Sequence, residues 1–122
     1  MKINNTLSKQ LDLVQQYGWD IKSIHNPSER VQLAAVKQNG GAVRWILDKG
    51  IVPSIPVQKA AVLQNPIWAL YYMVNFNFPI SKMVQWIAAK RIKELDQVEY
   101  LSERTLNSLD PNVQEYLKSD KL

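Results

Sequence analysis

Four cations and three aromatic residues offer most of the recognition chemistry in this sequence. Lysine and arginine side chains attract phosphates and carboxylates, and an exposed aromatic ring is a frequent anchor of a protein interface. The candidate partner-binding residues are Lys22, Lys37, Arg44, Lys59, Tyr71, Phe76 and Phe78. Their chemistry predicts binding through charge and aromatic contact.

The four cations can be interpreted in three ways. If Lys22 and Arg44 stack in register while Lys37 and Lys59 project from neighbouring helices, they form a basic stripe. Such a stripe could follow a phosphate backbone, as in helical-repeat DNA binders, or meet an acidic patch on a protein. The third interpretation is an ordinary solvated basic surface.

The formal net charge of +4 is distributed unevenly along the chain. Residues 1–75 carry eight lysine or arginine residues against four acidic residues, whereas residues 76–122 carry seven against seven. The positive excess therefore belongs to the first part of the chain, where the four candidate cations lie.

Side chains typical of catalysis are sparse. His25 is the only histidine and there is no cysteine, so no second imidazole or thiolate can share a metal ion. No Ser-His-Asp order, glycine-rich phosphate loop or paired acidic motif stands out, and Gly40-Gly41 is better explained as a turn between helices. The sequence predicts no enzyme activity, no catalytic residue, no metal and no cofactor.

Aromatic residues are concentrated in the middle of the chain, and most are expected to pack in the core. Tyr71, one step round the helix from Tyr72, should face outward more than Tyr72 does. The linker at residues 75–79 can leave an aromatic ring exposed, as interface anchors are. The aromatic residues concerned are Trp19, Trp45, Trp68, Trp86, Tyr71, Tyr72, Phe76 and Phe78.

The elements that position these side chains are predicted from a sequence repeat that occurs twice, at residues 27–46 and 53–73. After Asn65 one extra residue shifts the spacing from 26 to 27, so that residues 42–46 match residues 69–73 in character. A period of this size is typical of a stacked repeat protein. The identities at the spacing of 26 are Pro27 with Pro53, Ser28 with Ser54, Val31 with Val57, Gln32 with Gln58, Ala34 with Ala60, Ala35 with Ala61, Val36 with Val62, Gln38 with Gln64 and Asn39 with Asn65.

Each copy of the sequence repeat predicts a helical hairpin. Asn26 is placed to cap the first helix, with Pro27 at the first helical position and Glu29 completing a capping box. Residues 39–41 end that helix, and a short second helix follows. In the second copy Ser54 is the predicted cap.

A degenerate earlier copy, at residues 11–24, aligns with residues 33–46, which predicts three hairpins over about residues 7–75. Gln16, Gln38 and Gln64 occupy one equivalent place in the three units. Either these amides form a ladder along one exposed face, or each one satisfies backbone groups at its own turn or in the adjacent repeat.

Residues 76–122 do not follow the sequence repeat and are expected to form a helical C-terminal cap. The apolar spacing predicts one long helix or two short ones over residues 80–101, with Ser81 near the start, and a last short helix from Asp110 to about Leu117. The predicted fold is all-α: a small α-solenoid of stacked hairpins, similar to short HEAT repeats, with a divergent cap, in a single domain over residues 1–122.

The length and composition are consistent with one domain in a reducing compartment. A chain of 122 residues buries about two-thirds of its unfolded surface and needs no disulfide. The N-terminal residues lack the apolar centre of a signal peptide, and polar residues and prolines interrupt the most apolar stretch, residues 60–80. We expect a soluble cytoplasmic protein without membrane contact.

The wording NPSERVQLAAVKQNGGAVRWI at residues 26–46 resembles the short helical repeats of bacteriophage and prophage proteins, often written NPSEEVQLAAVKQNGxAIxYI. A related bacterial domain of unknown function uses VLAAVKQNG units. The resemblance covers about residues 11–73. It implies an α-helical repeat protein from a phage or prophage, acting in the bacterial cytoplasm, and it implies no enzymatic activity.

These observations predict a non-enzymatic protein-protein interaction module. The expected partner is a host or phage protein, such as a regulator, a defence protein or a transcription factor, which the chain would modulate during lysogeny or host takeover. The alternative is a DNA- or RNA-binding regulator that uses the basic stripe. A third hypothesis is self-assembly through the ends of the array, and the exposed faces of residues 80–101 are a further candidate for binding.

Overall fold

The computed structural model describes residues 6–119, which form helices joined by short turns, without a strand in that range. The prediction of an all-α fold is confirmed. The α-helices are α1 (Leu7–Gln16), α2 (Glu29–Gln38), α3 (Val43–Asp48), α4 (Ile55–Gln64), α5 (Pro66–Asn75), α6 (Lys82–Glu94), α7 (Glu103–Asn107) and α8 (Pro111–Lys118), and 3₁₀ segments cover Gly18–Ser23, Gly40–Ala42 and Val98–Tyr100.

The helices lie in two rows. The first row contains α1, α2, α4 and α6, which contact each other in that order. The second row contains Gly18–Ser23, α3 and α5, again in contact in chain order, with α7 beside α5. The chain therefore alternates between the rows, and α8 packs against α6 beyond them.

Apolar side chains from both rows form one continuous core. Val36 and Val62 of the first row and Ile46, Leu70 and Met73 of the second row are fully buried in it. The buried residues of α5 fall at residues 66, 69, 70 and 73, which is the three-four spacing of a helix with one apolar face. Burial of this face holds α5 against the first row.

Serine side chains start three of the first-row helices. Ser28, Ser54 and Ser81 each accept a hydrogen bond from the backbone N–H three residues later, at 3.3, 3.4 and 3.3 Å. The cap predicted at Ser54 is confirmed, and Ser81 lies at the predicted start of α6. The prediction that Asn26 caps α2 is wrong, because the helix begins at Glu29 and Pro27 lies before the cap rather than in the first turn.

A glutamine recurs four residues after the cap in α2, α4, α6 and α8, buried in the first three helices and half-buried in the last. Each of these amides donates through Nε2 to the carbonyl oxygen of the residue just before the cap, at 2.8 to 3.0 Å. The bond ties the chain entering each helix to the helix itself. The donors are Gln32, Gln58, Gln85 and Gln114, so this hydrogen bond also occurs beyond the residues in which the sequence repeat is recognisable.

A second set of glutamines joins neighbouring hairpins. The Oε1 atom of Gln38 accepts the Gly18 N–H at 2.5 Å, and that of Gln64 accepts the Gly40 N–H at 2.5 Å. Each bond runs from a first-row helix to the turn of the preceding hairpin. For these two residues the prediction that the glutamines satisfy backbone groups of the adjacent repeat is confirmed.

The next hairpin replaces this contact with one of opposite polarity. Pro66 follows the end of α4 as Gly40 follows the end of α2, and proline has no N–H to donate. Arg91 of α6 stands ten residues after its cap, as Gln64 does, and its Nε donates to the Leu63 carbonyl oxygen at 2.9 Å. Where Pro66 removes the backbone donor, the first-row helix that follows therefore presents a side-chain donor, Arg91, in place of a glutamine acceptor.

We expect Gln38→Ala and Gln64→Ala each to lower the free energy of unfolding by about 1–2 kcal/mol, because each leaves a buried glycine N–H without its acceptor. Gln16→Ala is the matched control, since Gln16 holds the equivalent place in α1, which follows no earlier hairpin among the described residues. Urea unfolding followed by circular dichroism measures the difference. Equal losses at all three positions would contradict the role given to these bonds.

Candidate functional site

The second row presents a cluster of aromatic rings that we call the aromatic surface: Trp19, Trp45, Trp68, Tyr71 and Tyr72. Trp19 meets Trp45 edge to face at 5.4 Å between ring centroids and lies 6.3 Å from Tyr72. Tyr72 in turn stacks on Trp68 at 5.6 Å with an interplanar angle of 27°. Contacts between the rings hold them in place across three elements of the row, because such pairs are attractive at these distances.

Two cations lie over these rings. The guanidinium carbon of Arg44 is 4.6 Å from the centroid of Trp45, 5.7 Å from that of Tyr72 and 5.8 Å from that of Trp19. The ammonium group of Lys22 is 5.4 Å from the Trp45 centroid. Cation–π attraction therefore orients both side chains at the surface.

The far end of the aromatic surface is open to solvent. Trp68 is 50% exposed and Tyr71 is 39% exposed, although their rings contact each other edge to face at 5.4 Å. Beside Trp68 a cleft of about 350 Å³ leads to Tyr100, which is 65% exposed. Adjoining exposed aromatic rings of this kind mark an interaction site more often than isolated ones do.

Trp68 is an exception to the expectation that most of the aromatic residues pack in the core. Trp68 lies in the first turn of α5, where its backbone N–H donates to the Asn65 side chain at 3.2 Å. It falls outside the buried spacing of that helix, which takes residues 66, 69, 70 and 73 to the core. This spacing is visible in the sequence and could have placed Trp68 outside.

The comparison of Tyr71 with Tyr72 follows the sequence prediction. Tyr71 is exposed, whereas Tyr72 is half-buried against the core and under Arg44. Phe76 in the turn after α5 is exposed as predicted for that linker, but Phe78 packs against the core and its N–H donates to the Met73 carbonyl. Phe78 is therefore a poorer candidate for binding than Phe76.

The four predicted cations are divided between two surfaces. Lys22 and Arg44 belong to the aromatic surface of the second row. Lys37 and Lys59 line a groove between α2 and α4 in the first row. The structure brings together the members of each pair and does not join all four in a single stripe.

The surplus of positive charge follows the rows more closely than it follows position along the chain. The four first-row helices carry eight lysine or arginine residues against three acidic residues. The second-row elements, including Val98–Tyr100 and α7, carry three against four. The first row is thus the basic side of the molecule.

Other side chains add little to the candidate site. His25 is exposed in the turn before α2. Among residues 6–119, no group of three or more histidine or acidic side chains is placed to hold a metal ion. Over the same residues, no helix combines the length and the apolar character needed to cross a membrane.

Comparison with known proteins gives this chain no relative. No protein-family model, no curated protein and no solved structure matches it.

Proposed function

We propose that this chain is a non-enzymatic protein-interaction module that binds a partner through the aromatic surface. The observation that carries the proposal is the exposure of Trp68 and Tyr71 next to rings that already hold Arg44. Tryptophan, tyrosine and arginine are the residue types most enriched among the residues that dominate binding energy at protein interfaces.

The mutual packing of the rings supports this proposal. Trp68 contacts both Tyr71 and Tyr72, so its orientation is set before a partner arrives. A side chain that is already ordered loses less conformational entropy on binding, and more of its contact energy appears as affinity. The cleft next to Trp68 gives a partner side chain a place to enter.

We infer that the scaffold is a small α-solenoid of stacked hairpins. The order of contacts within each row supports this inference, as does the hydrogen bond of Gln38 and Gln64 to the preceding hairpin. In such an array each unit contacts its neighbours, and extended surfaces on either row remain free for partners.

The resemblance of residues 26–46 to phage and prophage repeats suggests which partners to test first. They are host or phage regulators, defence proteins and the transcription machinery of a bacterial cytoplasm. The chain would act on such a partner by covering its functional surface or by favouring one of its conformations.

The alternative is a DNA- or RNA-binding regulator, and the basic first row is the observation in its favour. Its proposed stripe loses support because Lys22 and Arg44 are separated from Lys37 and Lys59 and lie against aromatic rings. The faces of Trp45 and Tyr72 that a base would need for stacking are already occupied by cations or other rings.

The test is quantitative affinity capture from the bacterial cells that express the chain, after nuclease treatment. We expect a protein that the unaltered chain retains to be lost by about tenfold or more with the double variant Trp68→Ala/Tyr71→Ala, because interface hot spots contribute about 2 kcal/mol or more each. Val52→Ala is the matched control, since Val52 is exposed in the turn between α3 and α4.

Capture of the same proteins by the double variant and by the unaltered chain would overturn the use of the aromatic surface. A salt titration with a labelled oligonucleotide tests the alternative. Tight binding that falls steeply with salt and is abolished by Lys37→Glu and Arg44→Glu would favour nucleic acid over protein.

A further inference from the structure

The first row carries a groove whose chemistry differs from that of the aromatic surface. It runs between α2 and α4 with a volume of about 550 Å³, and we call it the lysine groove. Its apolar wall is formed by Leu33, Pro56, Ala60 and Leu63, and its two charged residues are Lys37 and Lys59.

The apolar wall is accessible. Leu63 is 46% exposed, although Ala61 and Val62 just before it on α4 are fully buried. Leu33 and Ala60 are only partly buried. A second groove of about 430 Å³ adjoins the first and shares Leu33 and Lys37 with it. The two grooves extend the apolar surface across α1, α2 and α4.

The charges around the lysine groove are of one sign. No residue of α2 or α4 that lines the lysine groove is acidic. The adjoining groove is lined by Arg30 as well as Lys37. Of the three acidic residues in this row, Glu29 accepts a hydrogen bond from Ser54 at 2.7 Å, Glu94 lies 3.5 Å from Arg91, and Asp12 lines neither groove. Lys37 and Lys59 are left to attract carboxylates from outside.

The length of the helices that flank the groove suits a bound helix. A ten-residue helix such as α2 or α4 is about 15 Å long, so the groove between them can hold about three helical turns. A bound helix would place apolar side chains at positions i, i+3 or i+4, and i+7 along the wall, as helices in grooves do. Acidic residues beside that stripe would reach the two lysines.

A nucleic acid fits the same groove less well. Its phosphates would meet the lysines, but its charged backbone would cover Leu33 and Leu63 without an apolar group to bury against them. Bases stack on aromatic rings, and the residues that line this groove are aliphatic or polar. Charge and apolar contact together favour a peptide.

We propose that the lysine groove is a second binding site, which takes an acidic amphipathic helix of a partner protein. The site lies in the first row, apart from Trp68 and Tyr71 in the second row. The chain then binds through two surfaces of different chemistry and can hold two partners, or two parts of one partner, at the same time.

The test uses the full chain and a display library of random peptides of about 14 residues, long enough for three to four helical turns. We expect the enriched peptides to be acidic and to carry apolar residues at helical spacing. Fluorescence anisotropy with such a peptide should show affinity about tenfold lower for Lys37→Glu/Lys59→Glu, since both attractive charges become repulsive. Lys118→Glu, at an exposed position of α8, is the matched control.

A charge-reversed peptide, with lysine in place of its acidic residues, should bind Lys37→Glu/Lys59→Glu better than it binds the unaltered chain. This rescue separates a specific contact from loss of folding, which circular dichroism of each variant also monitors. Binding of the acidic peptide should be unchanged in Trp68→Ala/Tyr71→Ala, so the two sites succeed or fail independently.

The proposal is overturned if the library yields no acidic amphipathic peptide, or if the peptides it yields bind Lys37→Glu/Lys59→Glu as well as the unaltered chain. It is also overturned if a single-stranded oligonucleotide binds more tightly than the peptides and displaces them. That last result would assign the groove to nucleic acid.

Discussion

Replacing Gly40 with alanine should lower the free energy of unfolding by about 3 kcal/mol, because the added methyl group has no room. It would overlap the carbonyl oxygen of Ala61 and lie 2.9 Å from the backbone nitrogen of Asn65. Both atoms belong to the main chain of α4 or its end, which cannot rotate away as a flexible side chain can. Relief requires the hairpin of α4 and α5 to move away from the hairpin of α2 and α3.

Chemical denaturation of Gly40→Ala and Gly50→Ala measures this effect against a control. A methyl group at Gly50 meets nothing within 4 Å, and its cost is limited to the backbone angle φ of +75°, about 1 kcal/mol. If Gly40→Ala is no more destabilising than Gly50→Ala, the close contact between neighbouring hairpins is not required for stability.

Replacing Leu70 with alanine should lower the free energy of unfolding by about 3 kcal/mol. Leu70 is fully buried on α5 between the two rows, and the substitution removes its apolar contacts and leaves a cavity. Thermal unfolding followed by circular dichroism, together with urea titration, measures the loss.

Trp68→Ala, two residues away on the same helix, is the comparison for Leu70→Ala. It removes a larger side chain but one that is half exposed, so we expect a loss of about 1 kcal/mol or less. A larger loss for Trp68→Ala than for Leu70→Ala would show that Trp68 serves the fold. It would also remove the reason for treating it as a binding residue.

The sequence predicted the helical fold well because its evidence is local. Ser54, Ser81 and Asp110 begin helices where capping chemistry and apolar spacing predict a start. Ser28, rather than the predicted Asn26, caps α2, because both residue types can cap a helix and local propensity does not separate them. The glutamine four residues after Ser28 could have done so, since it bonds back to the residue before the true cap.

The candidate site was predicted in its residues but not in its arrangement. Arg44 and Tyr71 were selected from the sequence, yet counting charges along the chain could not show that Lys37 faces away with the first row while Arg44 lies on the second. That division depends on contacts between residues far apart in sequence. The sequence does not single out Trp68, because most large aromatic residues are buried, whereas the spacing of buried residues in α5 leaves it outside the core.

The exchange at Pro66 and Arg91 implies that the hairpins have a defined order. A unit that ends in glycine offers a donor and must be followed by a helix with an acceptor, such as Gln64. A unit that continues into proline offers no donor, and the next helix supplies one from Arg91 to the carbonyl of Leu63. Exchanging α4 with α6 would place Gln64 against a proline, which has no N–H to donate, and Arg91 against a glycine N–H, which cannot accept. Each junction is therefore compatible only with the helix that follows it in the native order.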